Sequence, residues 1–281
     1  MMKTQWPALL HSNKRWAAVF CALCLFTGNA PAVAATKQKP ITLTYHVYAG
    51  GVHGIDATLK LQESGGRYTI ESHSVTRGFL GTLIPWKGIF VTEGKVLGAQ
   101  HTPAKHQSIS TWRSETETKT YLYDAKGQFK TLTVIEDGKD KTPTDTDWSM
   151  AKGTTDLLSA TLDMMALAGK TNDCGSTRRI FDGDRTFDLI FRAVGKETLA
   201  ASRYNVYAGE ALKCEVEVVP QKGRWHKKPR GWLSIQEQGR KHGQLPVVWL
   251  GRVPGQAQMI PVKLRITSDH GTLFMHLAAE K

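Results

Sequence analysis

The sequence predicts an all-β, mainly antiparallel protein whose sheet curls into an open or spiral barrel, with one short α-helix near 154–168. Three observations predict it. Short runs of alternating apolar and polar residues recur along almost the whole chain, the period-2 signature of half-buried strands. Glycine- and Asp/Asn-rich turns separate them at close intervals. A single segment breaks that rhythm with helical spacing. So many strands in one flat layer would twist strongly and leave aggregation-prone edges, so the sheet is expected to curl.

The elements follow in order. Residues 1–34 read as a cleaved secretory signal peptide. Lys3, Lys14 and Arg15 form its positive region, WAAVFCALCLF at 16–26 its apolar run, and Ala32-Val33-Ala34 its small-x-small cleavage site. Eleven apolar residues are too short to span roughly 30 Å of hydrocarbon as a helix. Cys21 and Cys24 are preceded by Phe20 and Leu23 rather than by the small residue a lipid-anchored cysteine needs, so lipid anchoring is not expected. Residues 35–281 are then a single β-rich domain, expected in the periplasm, with no further run apolar enough to be a transmembrane segment.

Ile41, Leu43, Tyr45 and Val47 alternate as one strand face and lead to a turn at Gly50-Gly51. Ala57, Leu59 and Leu61 face Tyr68 and Ile70 across Ser64-Gly65-Gly66, a hairpin. Further strands are expected at 86–92, 95–101, 106–112, 117–123 and 129–135, and 139–147 reads as a loop. Leu157, Leu158, Leu162, Met165 and Leu167 then suit a helix, with Thr154 or Thr155 as its cap and Gly169 just past its end. Strands are expected again at 186–193, 199–207, 212–219, 232–236, 247–252, 260–267 and 273–279. YHVYAG at 45–50 recurs as YNVYAG at 204–209, either two pseudo-repeated halves or coincidence.

The formal charge is +12, and the leader's three basic residues without an acidic one leave +9 for the rest. Such a balance suits anionic partners: lipid headgroups, lipopolysaccharide phosphates or acidic glycans. Nucleic acid is not expected in an exported protein. Cys174 and Cys214 remain after the leader, and an even pair in an oxidising compartment reads as a disulfide. Free thiols or a metal pair are the alternatives, which neither a CxxC spacing nor a neighbouring histidine supports.

Candidate sites are few. Lys222, Arg224, Trp225, Lys227, Lys228 and Arg230 form a basic, tryptophan-bearing patch suited to an anionic partner, with Trp232 close behind. Its plainer reading is a solvated loop that aids solubility. Six tryptophans after the leader either fill a large β-core or line an apolar cavity. Asp182-Gly183-Asp184 reads as a tight turn with Arg179 or Arg185 paired to an aspartate, rather than as a cation site. Ser149-Met150-Ala151-Lys152 has the spacing of serine–lysine enzymes, but the partner motifs are missing. The nine histidines after the leader show no metal-ligand spacing, although His46 and His53 flank a turn. No cofactor, metal or catalytic residue is expected.

Several segments carry a resemblance. Asp156-Leu157-Leu158-Ser159-Ala160 precedes Cys174, then come Arg179 to Arg185 (RIFDGDR), Phe187-Asp188-Leu189, Cys214, Pro220 and Gly223. IPVKLR at 260–265, Gly271 and Leu277 close the pattern, and Tyr45, Val47, Tyr48, Gly51, Gly54, Thr76 and Gly78 open it. Over residues 41–278 the chain resembles the exported proteobacterial family catalogued as domain of unknown function 3108. The resemblance implies a β-rich envelope protein with a paired cysteine, and no catalytic residue to transfer. By looser analogy it is similar to open β-spiral envelope proteins and half-barrel lipoprotein carriers. The expected function is non-enzymatic binding or scaffolding in cell-envelope maintenance, with lipid, lipopolysaccharide or an envelope protein as partner. The alternative is an envelope enzyme acting on peptidoglycan or another glycan.

Overall fold

A computed structural model describes residues 40–225, 227, 232–269 and 271–279. Its strands are β1 (Ile41–Ala49), β2 (Val52–Ser64), β3 (Arg67–Thr76), β4 (Trp86–Leu97), β5 (Gln100–Trp112), β6 (Glu115–Tyr123), β7 (Phe129–Glu136), β8 (Lys139–Asp140), β9 (Ser176–Phe181), β10 (Arg185–Leu199), β11 (Gly209–Gly223), β12 (Val247–Gly251), β13 (Ile260–Ser268) and β14 (Gly271–Ala278). Three α-helices join them: α1 (Gly78–Leu83), α2 (Leu157–Thr171) and α3 (Trp232–Lys241).

All fourteen strands belong to one antiparallel sheet, ordered β8-β7-β6-β5-β4-β3-β2-β1-β14-β13-β12-β11-β10-β9. Its outer strands are β8 and β9, and the sheet is curled but not closed. Side chains bring the two ends together. Phe181 of β9 lies 5.2 Å from Phe129 and 6.1 Å from Trp148, ring centre to ring centre. The Tyr121 hydroxyl donates to the Asp182 carbonyl at 2.8 Å. The outer edge of β9 is paired by Thr155, whose N–H donates to the Arg179 carbonyl at 2.9 Å. A sheet edge is thus covered without a fifteenth strand.

Helix α2 sits against the inside of the curl, burying Ser159, Ala160, Leu162, Met164, Met165 and Ala168. Its cap is Asp156, not Thr154 or Thr155: the carboxylate accepts from the N–H groups of Leu158 and Ser159. It runs past Gly169 to a left-handed cap at Asn172. Gly169 is needed for another reason, because a Cβ there would lie 2.3 Å from the Ala257 carbonyl. Arg252 finishes the helix by donating to the Gly169 carbonyl and Asn172 Oδ1. Cys174, just beyond, is bonded to Cys214 of β11 with 6.4 Å between Cα atoms, and both cysteines are fully buried.

Among the described residues the expectation of one helix is corrected to three. Residues 232–236 are not a strand but the first half of α3. Five residues cannot distinguish the two periods; the full segment buries Gln236 and Gly239 three apart on one helical face. Strand β12 is short and pairs β11 only at 211–215. Further along β11, Gln236 takes its place: Val218 N–H donates to Gln236 Oε1 at 2.7 Å, and Gln236 Nε2 donates back to the Val218 carbonyl at 3.0 Å.

The strand expected at 199–207 is also absent. Ser202 Oγ accepts from the N–H groups of Tyr204 and Asn205, and Asn205 Oδ1 from that of Tyr207. These local side-chain bonds win over a ladder. The echo of 45–50 at 204–209 is therefore not a structural repeat. The strands expected at 86–92, 95–101 and 106–112 are two longer ones, β4 and β5, turning at Gly98 with φ 63°.

Candidate ligand cavity

The curl forms a half-open cavity of about 920 Å³. Alternation aims its walls inward: Phe187, Leu189 and Phe191 on β10, Val216 and Val218 on β11. Leu264 of β13, Met275 of β14 and Phe90 of β4 continue the apolar wall, and Leu158 and Met164 of α2 close it from within. Trp232 and Leu233 of α3 complete the lining. Trp232 Nε1 is buried with no hydrogen-bond partner among the described residues, a donor left over in an otherwise apolar wall.

One side of the cavity is polar and fully organised. Asp156 is 2 % exposed. Besides capping α2 it accepts from Thr92 Oγ1 at 2.8 Å and from Ser159 Oγ, which is also 2.7 Å from the Tyr68 hydroxyl. Thr92 spends its proton on Asp156, so His106 Nδ1, 2.8 Å away, must be the donor to Thr92 Oγ1. Burial, the largest influence on His106, lowers its pKa against the opposing pull of the Asp156 charge. The imidazole is thus neutral and protonated on Nδ1, which leaves Nε2 an acceptor on a residue that lines the cavity.

The rim carries charge in pairs. Arg185 lies 4.4 Å over the Trp225 ring and 2.8 Å from Asp182; Lys119 is 3.2 Å from Glu117. Of the patch expected from sequence, Lys222 and Lys227 are exposed, whereas Arg224 is engaged by Asp184 at 2.8 Å. Trp225 turns inward against Phe187, with 6.4 Å between ring centres. Lys228 and Arg230 lie outside the described residues.

The remaining candidates resolve as structure. Asp182 accepts from Arg185 and Asp188 from Arg179, so the DGD segment is an ion-paired turn. Ser149 to Lys152 forms a 3-10 turn at 148–151 and its exit, with Ser149 and Lys152 both exposed. Trp249 is core, and its indole donates to Glu197. His106, Asp156 and the orphan donor of Trp232 were missed as site residues. An aspartate just before an apolar helical run is a readable cap signal; nothing local announces the other two.

An open, curled antiparallel sheet with an inserted helix and a largely apolar interior defines the class of this molecule: a β-curl with room for a ligand. The chain belongs to the family described as Protein of unknown function (DUF3108), whose model matches residues 44–278, from β1 through β14. No curated protein and no solved structure matches the chain. No helix among the described residues is long and apolar enough to cross a membrane.

Proposed function

We propose that this protein is exported to the periplasm and there binds an amphiphile, with the apolar part inside the curl and an anionic headgroup at the rim, in the service of envelope maintenance. The carrying observation is the apolar cavity of about 920 Å³, within the roughly 300–1,000 Å³ range of small-molecule sites. Trp232 Nε1 supports the reading as an unused donor for a headgroup oxygen. The leader at 1–34 supports export. Lys222 and Lys227, with Lys228 and Arg230 nearby in sequence, supply a salt-sensitive attraction for lipid or lipopolysaccharide phosphates. Arg224 contributes less than its charge suggests, since Asp184 already neutralises it.

Glycan hydrolysis is the weaker reading. It requires two carboxylates facing each other across a groove, about 5–10 Å apart. The acidic groups around the cavity are engaged: Asp156 by the α2 N-terminus, Asp182 by Arg185 and Glu117 by Lys119.

The test is titration of the delipidated chain with a fluorescent fatty acid. Saturable one-to-one binding is expected, and Leu264→Trp, which fills the cavity from a half-buried wall position, should abolish it while near-UV circular dichroism stays native. Absence of saturable binding, or binding indifferent to Leu264→Trp, overturns the proposal. Neutralising Lys222, Arg224, Lys227, Lys228 and Arg230 together should weaken attachment to phosphatidylglycerol vesicles; unchanged attachment removes the headgroup part.

A further inference from the structure

The β1–β2 hairpin brings together three side chains that share no residue with the cavity. His46 and Asp56 stand directly opposite each other, so they share a face of the sheet. His53 precedes Asp56 by three, an odd separation that would put it on the other face of a regular strand. The register slips at this point: Val47 pairs with Ile55 but Tyr48 pairs with His53, leaving Gly54 as the extra residue of a β-bulge. Such a bulge re-aims a side chain, and here it turns His53 toward His46 and Asp56. The bulge is held from the side of α1, where the Gly54 carbonyl accepts from the Arg77 N–H at 2.8 Å and a Cβ on Gly54 would crowd Leu80 Cδ2 at 2.9 Å.

The donor atoms converge. One ligand atom from each of the three lies within 4.8 Å of the others. Asp56 Oδ1 is 2.7 Å from His53 Nε2 and 3.6 Å from His46 Nε2. Zinc bonds of about 2.0–2.1 Å in a tetrahedron place neighbouring ligand atoms roughly 3.3 Å apart, between those two separations. Arg77 Nε donates to Asp56 Oδ2 at 2.9 Å, which leaves Oδ1 to face the imidazoles. That oxygen is closed to solvent and accepts no hydrogen bond: His53 Nε2 is near enough but badly angled, and lies 3.2 Å from the Ile55 carbonyl instead. A buried carboxylate oxygen that accepts no hydrogen bond and lies within reach of two imidazole nitrogens is an arrangement a cation completes. The three side chains are between 24 % and 37 % exposed, so the site lies at the surface with the imidazoles reachable from solvent.

We propose that His46, His53 and Asp56 bind a divalent transition-metal ion, with zinc favoured by the two-nitrogen, one-oxygen donor set and a solvent molecule in the fourth position. The outer-shell contact to Asp56 comes from Arg77, a positioning residue. Binding replaces the His53 contact to the Ile55 carbonyl and requires both imidazoles to present unprotonated Nε2, so affinity falls in acid.

The experiment is calorimetric titration of zinc chloride into the chain prepared without a polyhistidine tag and stripped with a chelator, with cobalt absorption as a second readout. One ion per chain and a tetrahedral cobalt spectrum are expected. His46→Gln, His53→Gln and Asp56→Asn should each weaken binding by about tenfold or more, the loss that even an outer-shell partner causes. His242→Gln, remote and paired with Asp269, should leave it unchanged. Zinc should also raise the melting temperature of the parent chain and not that of the triple variant, a comparison that stands even if one variant is less stable. No stoichiometric binding, or affinity and cobalt spectrum retained in the triple variant, overturns the proposal and leaves the trio an ion-pair cluster.

Discussion

His101 shows how one side chain can carry a pH dependence. It is 4 % exposed, with Nδ1 2.9 Å from Asp163 and Nε2 3.0 Å from Glu63. Arg178 also contacts Asp163, at 3.2 Å, and Tyr68 meets the imidazole edge-on at 4.9 Å. Burial is the largest influence and opposes the charge, but the hydrogen bonds and charges of the two carboxylates outweigh it and raise the pKa to about 9. A raised folded pKa means stabilisation that is complete below the unfolded value near 6.5 and is lost as pH climbs through 9. The size is about 3 kcal/mol. Urea unfolding at pH 6 and pH 9 should show that loss in the parent chain, and His101→Gln should remove most of the slope between the two. An equal slope in the variant would place the dependence elsewhere. The contrast with His106 is instructive, since burial there meets no such pair of acceptors and the ring stays neutral.

At the scale of elements, α3 does a strand's work. Gln236 supplies a donor and an acceptor to Val218 where β12 has ended, so β11 keeps its backbone bonds beside the cavity. Gln236→Leu should cost about 1–3 kcal/mol, the penalty for unpaired buried groups. Hydrogen exchange at the Val218 amide should accelerate while the amides of 211–215, bonded to β12, stay protected. Helix α2 differs in being anchored at both ends, by Asp156 at the start and by Arg252 and Asn172 at the finish. Helical spacing locates α2 to within three residues but not its caps, because threonine and aspartate are both good caps. Only the neighbours of Asp156, Thr92 and Ser159 above all, favour the carboxylate.

For the whole molecule, the question is what keeps an unclosed sheet curled. Contacts across the gap do so, the aromatic ones of Phe181 with Phe129 and Trp148 and the Tyr121–Asp182 hydrogen bond. The Cys174–Cys214 bond ties the segment before β9 to β11 across β10. The bond closes a loop of 40 residues, for which the chain-entropy model gives about 4 kcal/mol. The Cys174→Ala, Cys214→Ala double variant should unfold at a urea concentration lower by that free energy over the measured m-value. A midpoint unchanged by the double variant would mean that packing alone holds the curl.

The sequence by itself determined the all-β class, the positions of most strands and turns, the site of the long helix and the cysteine pairing. These rest on period-2 alternation, on turn residues and on parity, all readable within a few neighbouring positions. Tertiary structure alone decided that 232–241 would be helical and that an apolar cavity would form. It also turned Trp225 inward and set His46, His53 and Asp56 around one point. The reason is physical. A bulge reverses the facing of every residue beyond it, and a curl joins strands more than fifty residues apart, so convergence depends on twist and register that no local pattern encodes.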